Sequence, residues 1–298
     1  MTDKEIVVAY DGSEQAGAAV DWAAREALAR QVRLRVVYVE RPNVLAGPPG
    51  GDPWMAQQIE EIGRQLTDEA EERARRVEGV DVQSTVLTGP PAGALVDTAR
   101  DAELLVLGTR GRGEFASALL GSVAYSVSAH AACPVVVVRG DGQVRPGPSA
   151  PVVVGVDGSE PSREAVDTAA DAAHRYGAPL TVVAAWQGAY AGAWAGEYWA
   201  AVSAEALADM DKAAQRETQD VVDSAVAQAK QRHGDVEIRG VTADGMPAKV
   251  LVDASADAGL LVVGARGRGG FTGLLLGSVS HGVIHAASRP VMVVRAVG

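Results

Sequence analysis

The chain repeats itself at domain length, and that repeat constrains its fold more than any other feature. "IVVAYDGSE" (Ile6 to Glu14) returns as "VVVGVDGSE" (Val152 to Glu160) after 146 residues. The segment from Gly108 to Arg139 returns as Gly264 to Arg295 after 156 residues, with 18 of 32 positions identical. A period near 150 is several times longer than a solenoid unit, so each copy is a domain in its own right. The two spacings place about ten extra residues in the middle of the second copy. A length of 298 residues accommodates two domains of ordinary size.

Inside each copy, short β-branched runs alternate with longer Ala-rich periodic stretches, the pattern of a parallel sheet covered by helices on both faces. In the first copy the pattern predicts strands near 5–10, 33–39, 81–87, 103–108 and 134–139, with helices near 15–30, 54–78, 92–101 and 119–131. In the second it predicts strands near 151–156, 179–186, 235–242, 259–264 and 290–295, with helices near 161–176, 201–232, 247–257 and 276–287. The expected fold class is α/β, with two tandem five-stranded parallel-sheet, doubly wound, Rossmann-like domains. The expected boundaries are 1–140 and 152–298, joined by a Gly, Pro and Ser linker at 141–151. The apolar last strands, "PVVVVR" and "PVMVVR", are edges that want covering, so the two copies are expected to pair through them, with a homodimer as a further expectation.

Hydrophobic residues make up 47% of the chain and aromatic ones 4%, so the cores must be built from Val, Leu, Ala and Ile. A formal charge of −11 argues against nucleic acid as a partner, since affinity there comes largely from basic side chains on phosphates. Cys133 is the single cysteine, so no intrachain disulfide forms and a reducing compartment fits. It reads as a small hydrophobe before Pro134, with redox sensing as the lesser alternative. The charged start Met1 to Glu5 has no apolar leader, and no run approaches the roughly 20 apolar residues of a membrane span. The expectation is a cytoplasmic protein without membrane insertion.

In open α/β sheets ligands sit beyond the carboxyl ends of the strands, where strand order reverses. Two segments of each copy should meet there: Asp11-Gly12-Ser13 (Asp157-Gly158-Ser159 in the second copy) and a glycine loop after the fourth strand. Gly108, Gly111, Gly121 and Ser122 form G-x2-G-x9-G-S, and Gly264, Gly267, Gly277 and Ser278 repeat it without a gap. Glycines let backbone amides approach a polyphosphate, and the start of a helix favours an anion. The other reading is that the glycines make a tight turn and that Ser122 and Ser278 are ordinary helix N-caps. None of the four lysines follows a glycine, and G-x-G-x-x-G does not follow the first strand of either copy. A P-loop NTPase and a dinucleotide-binding enzyme are therefore disfavoured.

"VVGVDGSE", the glycine loop and the closing "RPVMVVR" resemble the universal stress protein family over nearly the whole of both copies. The resemblance implies an adenine nucleotide alpha hydrolase-like fold, ATP binding and a regulatory role in stress response or growth control. It implies that Asp11 and Asp157 lie near ribose and adenine, with Ala9 and Gly155 at the strand end. Val39 and Ala185 would meet adenine through backbone groups, although Glu40 follows the first and Trp186 the second, so the two sites need not bind equally. Gly108, Gly111, Gly113, Gly121 and Ser122, with Gly264, Gly267, Gly269, Gly277 and Ser278, would hold the phosphates. Arg110, Arg112, Arg266 and Arg268 would either screen phosphate charge or stand solvated in their loops.

Mg2+ held through water by Asp11 or Asp157 would accompany ATP, but no second carboxylate stands at a telling spacing, so binding with slow or no turnover is expected. The alternatives are an interaction scaffold with little ligand dependence, a slow ATPase, or a protein that takes cyclic AMP. His281 and His285 share a helix face at i, i+4 but lack a third ligand, and no metal site is expected. The segment "WQGAYAGAWAGEYWAA" (Trp186 to Ala201) gathers three of the five tryptophans. It is a lid, a protein contact or a loop folded onto its own domain.

Overall fold

The computed structural model describes residues 5–41, 53–109, 111, 120–188, 204–268 and 276–296. The chain divides into two compact units, Met1–Val144 and Arg145–Gly298. In the first unit the elements run β1 (Glu5–Ala9), α1 (Glu14–Arg30), β2 (Arg33–Glu40), α2 (Pro53–Ala74), β3 (Val82–Thr88), α3 (Pro91–Thr98), β4 (Leu104–Gly108), α4 (Ser122–His130) and β5 (Val135–Val138). The second runs β6 (Val152–Gly155), α5 (Glu160–Tyr176), β7 (Leu180–Trp186), α6 (Ala204–Arg232), β8 (Ile238–Asp244), α7 (Pro247–Ala254), β9 (Leu260–Gly264), α8 (Ser278–Ala286) and β10 (Val291–Val294).

The strand order within the first unit is β3-β2-β1-β4-β5 and within the second β8-β7-β6-β9-β10. All pairings inside each unit are parallel, with Val8 opposite Val36 and Val106, and Val154 opposite Val182 and Val262. The order reverses between β1 and β4 and between β6 and β9, so a crevice opens there at the carboxyl ends. The central strands are buried on both faces, which is why they read as unbroken Val, Ile and Leu. The outer strands β3 and β8 carry Thr, Arg and Gln and stay partly exposed.

Alanines let the helices lie close to the sheets. Ala16, Ala19, Ala23 and Ala27 of α1 are all buried, and Ala165, Ala169, Ala172 and Ala173 do the same in α5. Helices α4 and α8 begin later than the sequence pattern predicts, because Gly121 and Gly277 are extended at ψ 150° and 157°. Strand β8 begins at Ile238 and not at 235, set by its register opposite Leu180. The predicted linker is shared between the units. Arg25 donates to the Gly142 carbonyl at 3.2 Å and to Gln143 Oε1 at 2.7 Å, whereas Arg145 lies over the Tyr176 ring of its own unit at 5.9 Å. Among the described residues no helix is long and apolar enough to cross a membrane.

Candidate functional site

The first wall of each crevice is the turn after the first strand. Gly12 and Gly158 take φ of 79° and 80°, a left-handed conformation that glycine adopts without steric cost. That turn folds the preceding aspartate back on the chain. Asp11 Oδ1 accepts from the Ser13 amide at 3.1 Å; Asp157 Oδ1 accepts from the Ser159 amide at 3.0 Å and its hydroxyl at 2.6 Å. Ser13 and Ser159 then cap α1 and α5 by accepting from the amides of Ala16 and Ser162.

The second wall is the glycine loop. Gly264 closes β9 against α5, where a Cβ would stand 2.9 Å from the Pro161 carbonyl. A Cβ on Gly267 would stand 2.3 Å from Asp157 Oδ2, the oxygen that accepts from the Arg268 amide at 2.9 Å. In the first unit a Cβ on Gly111 would likewise stand 2.3 Å from Asp11 Oδ2. The aspartate and the second glycine of the motif are therefore matched to each other, a relation the sequence reading missed by assigning both only to ligand. The loop ends when the Gly277 amide donates to the Ala265 carbonyl at 2.8 Å; Gly121 and Thr109 make the same closure at 2.7 Å.

Gly121 and Gly277 occupy the N-cap positions of α4 and α8, and neither helix start has a side-chain cap. Ser122 and Ser278 are the first helical residues, which excludes the reading of them as N-caps. A Cβ on Gly277 would meet its neighbours at 3.4 Å and beyond, so packing alone does not demand glycine there. The outcome is a helix start whose amides are uncapped by any side chain, at the rim of the crevice. Ser280, which no motif flagged, donates to the carbonyls of Gly264 and Ala265 at 2.9 and 3.0 Å and pins α8 to the end of β9.

In the second unit these walls enclose a cavity of about 560 Å3, within the range of small-molecule sites. Gly155, Asp157, Ala185, Gly264, Arg266, Gly267, Arg268, Gly277 and Ser278 all line it. Gly269 lies outside the described residues, as do Arg110, Arg112 and Gly113. Val156, Val183 and Ala184, with Leu251 of α7, give the cavity an apolar lining, and Trp186 at the end of β7 also lines it. The rest of the aromatic segment, 189–201, lies outside the described residues. Helix α6 supplies a side wall through Ala214, Glu217, Thr218 and Val221. These contribute by one face of a long helix and carry no local motif, so sequence reading had no signal for them.

Charge gathers at the glycine end. Arg268 Nη1 pairs with Glu217 Oε1 at 2.9 Å across the cavity, both side chains being well exposed. Arg295, just past β10, has its pKa lowered by burial first and by the nearby Arg266 charge second, so two cations stand close together there. In the first unit Ala9, Asp11, Val39, Gly108, Gly111, Gly121 and Ser122 hold the same topological positions. The strand end differs: Gly155, where a Cβ would meet Leu251 at 2.7 Å, is Ala9 in the first unit. His281 and His285 bring their rings to 5.3 Å, and among the described residues no third ligand joins them.

The model of the universal stress protein family matches residues 3–139 and 149–295, one match to each unit. A universal stress protein of Mycobacterium tuberculosis (strain H37Rv) is 40% identical over 298 residues, covering 97% of this chain and 96% of its own. One from Mycolicibacterium smegmatis is 35% identical over 301 residues, covering 99% and 98%. The crystal structure of a universal stress protein from Archaeoglobus fulgidus shares the fold at a TM-score of 0.69 and 19% identity, covering 98% of this chain and 96% of that one. Two family matches that together span both units, and relatives that share the tandem length from end to end, carry one conclusion: this chain belongs to the universal stress protein family.

Proposed function

We propose that each unit binds one adenine nucleotide, with ATP as the principal ligand, and that occupancy makes the protein a nucleotide-dependent regulator in stress response or growth control. The observation that carries this reading is the second-unit cavity. The glycines, aspartate and arginines singled out by the repeated motif line one space together with apolar side chains and an uncapped helix start. A flat base suits the apolar part of the lining, Val156, Val183, Ala184 and Leu251, with Ala185 beside it. An anion suits the end where the first-turn residues of α8, Ser278 and Val279, line the cavity together with Arg266 and Arg268.

Mg2+ arriving with ATP would be held mainly by phosphate, with Asp157 reaching it at most through water, because both Asp157 oxygens accept hydrogen bonds from the protein. Binding without efficient turnover follows from that same commitment of the one carboxylate in the motif. Pairing of the two units through β5 and β10, the last strand of each, belongs to the same proposal, as does a homodimer. The test is mass spectrometry of ligand released from freshly purified, denatured protein, followed by calorimetry with ATP, AMP and cyclic AMP. Two equivalents of ATP per chain are expected. A protein that carries no nucleotide and takes up none of the three overturns the proposal.

A further inference from the structure

At the opposite end of the second unit's strands, two helices end side by side. His174 lies in the last turn of α5, and His233 and Asp235 follow the end of α6 directly. The imidazole rings stack at 4.2 Å, and His174 Nδ1 lies 2.8 Å from Asp235 Oδ2. One ligating atom from each of His174, His233 and Asp235 lies within 4.8 Å of the others.

A tetrahedral ion bound at about 2.0–2.2 Å separates its ligand atoms by roughly 3.3–3.5 Å. The separations here, from 2.8 Å to at most 4.8 Å, bracket that value. Rotation of the exposed His174 and Asp235 side chains closes the difference, the two rings splaying from their parallel stack so that each nitrogen faces the ion.

Two further observations favour a cation. Asp171 Oδ1 holds His233 by Nε2 at 2.7 Å, and Asp171 is itself fixed by two hydrogen bonds from Arg232 at 2.6 and 2.7 Å. That is the outer carboxylate arrangement that orients a ligating imidazole, and it leaves Nδ1 of His233 for another partner. The negative ends of the α5 and α6 dipoles also meet at this point.

The first unit gives the contrast within the chain. By the repeat spacings, His174 corresponds to Leu28 and Asp235 to Gly79. A Cβ on Gly79 would meet the Leu28 side chain at 3.6 Å, so the same corner is apolar there. The fold does not require histidines or carboxylates at this place.

We propose that His174, His233 and Asp235 form a binding site for a divalent transition ion of the zinc type, with water as a fourth ligand, which fastens the end of α5 to the end of α6. An N2O donor set suits borderline ions such as Zn2+ over Mg2+ or Ca2+. The site is independent of the nucleotide cavity.

The experiment is calorimetric titration of the tag-free full chain with zinc chloride at pH 7.5, with thermal unfolding in parallel. One Zn2+ per chain and a raised Tm are expected for the parent protein. Uptake should be lost in His174→Leu and in Asp235→Asn, both surface positions whose folding is checked by circular dichroism. It should persist in the double variant His281→Gln and His285→Gln, which removes the other histidine pair. No uptake by the parent, or unchanged uptake in His174→Leu and Asp235→Asn, overturns the proposal.

Discussion

Replacing Gly267 by alanine tests the fit between the glycine loop and Asp157. The new Cβ would stand 2.3 Å from Asp157 Oδ2, about an ångström inside van der Waals contact. Relief by moving the carboxylate stretches its 2.9 Å bond from the Arg268 amide to nearly 4 Å, beyond hydrogen-bonding range. A hydrogen bond to a charged group contributes about 1.5–3 kcal/mol. Since 1.4 kcal/mol is tenfold in affinity, a loss of about 2 kcal/mol in loop ordering weakens nucleotide binding roughly thirtyfold at that site. Each unit carries such a glycine, so calorimetry with ATP should show one of two equivalents weakened in Gly267→Ala, and both weakened when Gly111→Ala is added. Removing the carboxylate opens space for the Cβ, so Asp157→Ala and Gly267→Ala should be strongly non-additive. Amide hydrogen exchange at Arg268 reads the same bond without any ligand. Parental affinity in the Gly111→Ala and Gly267→Ala double variant, with unchanged protection at Arg268, refutes the reasoning.

Burial pushes the Cys133 thiol up to about 12, two hydrogen bonds from backbone amides lowering it only in part, so it stays protonated across the neutral range. Iodoacetamide at pH 8 should modify it slowly in the native protein and rapidly in urea; equal rates would show an accessible thiolate. Glu26 is buried and its Oε1 accepts from Arg30 Nε at 2.6 Å, while Arg30 Nη1 reaches Glu103 at 2.7 Å. Arg30→Ala should cost about 3 kcal/mol in urea unfolding of the first unit, and a cost under ~1 kcal/mol would show that the pair is well solvated. For Asp171 burial raises the pKa, but hydrogen bonds from Arg232 and His233 outweigh it and the net shift is downward. A folded-state pKa below the unfolded value stabilises above the unfolded pKa and loses that contribution as pH falls through the folded one. Asp171→Asn should therefore flatten the acid limb of Tm against pH below about pH 4, and an unaltered limb would contradict the shift.

Much of the fold was legible because its signals are local. Unbroken runs such as "IVVA" and "LLVLG" satisfy their backbone and bury both faces as inner strands of a parallel sheet. The Asp-Gly-Ser turns read directly from chemistry, since glycine permits the left-handed step and serine caps the helix that follows. The sequence pattern starts α4 and α8 a few residues early because apolar periodicity continues through Gly121 and Gly277, whose extended backbone, invisible to periodicity, holds the helix off until Ser122 and Ser278. The role of Ser122 and Ser278 stayed open for the same reason: a serine beside a glycine at a helix start reads alike as N-cap or as first residue.

The site was only half legible. Asp157 and Gly267 are each recognisable, but they lie 110 residues apart and their mutual fit is a tertiary fact. Glu217 and Thr218 enter the cavity because α6 packs across β7 and β8, and no spacing in the sequence records which face turns inward. Of His174, His233 and Asp235, nothing in the sequence brings the first to the other two, since α6 and β7 intervene.

By itself the sequence determined that two parallel α/β domains stand in tandem and that each carries a glycine loop after its fourth strand. Hydrophobic period, glycine and proline act over a few residues, and duplication displays the same solution twice. Only the tertiary structure decided which groups come together: the carboxylate against the second glycine, the uncapped helix start and the apolar lining around one cavity, and the histidines at the far end. Such contacts arise when distant segments pack, and their distances are set by the sheet that lies between them.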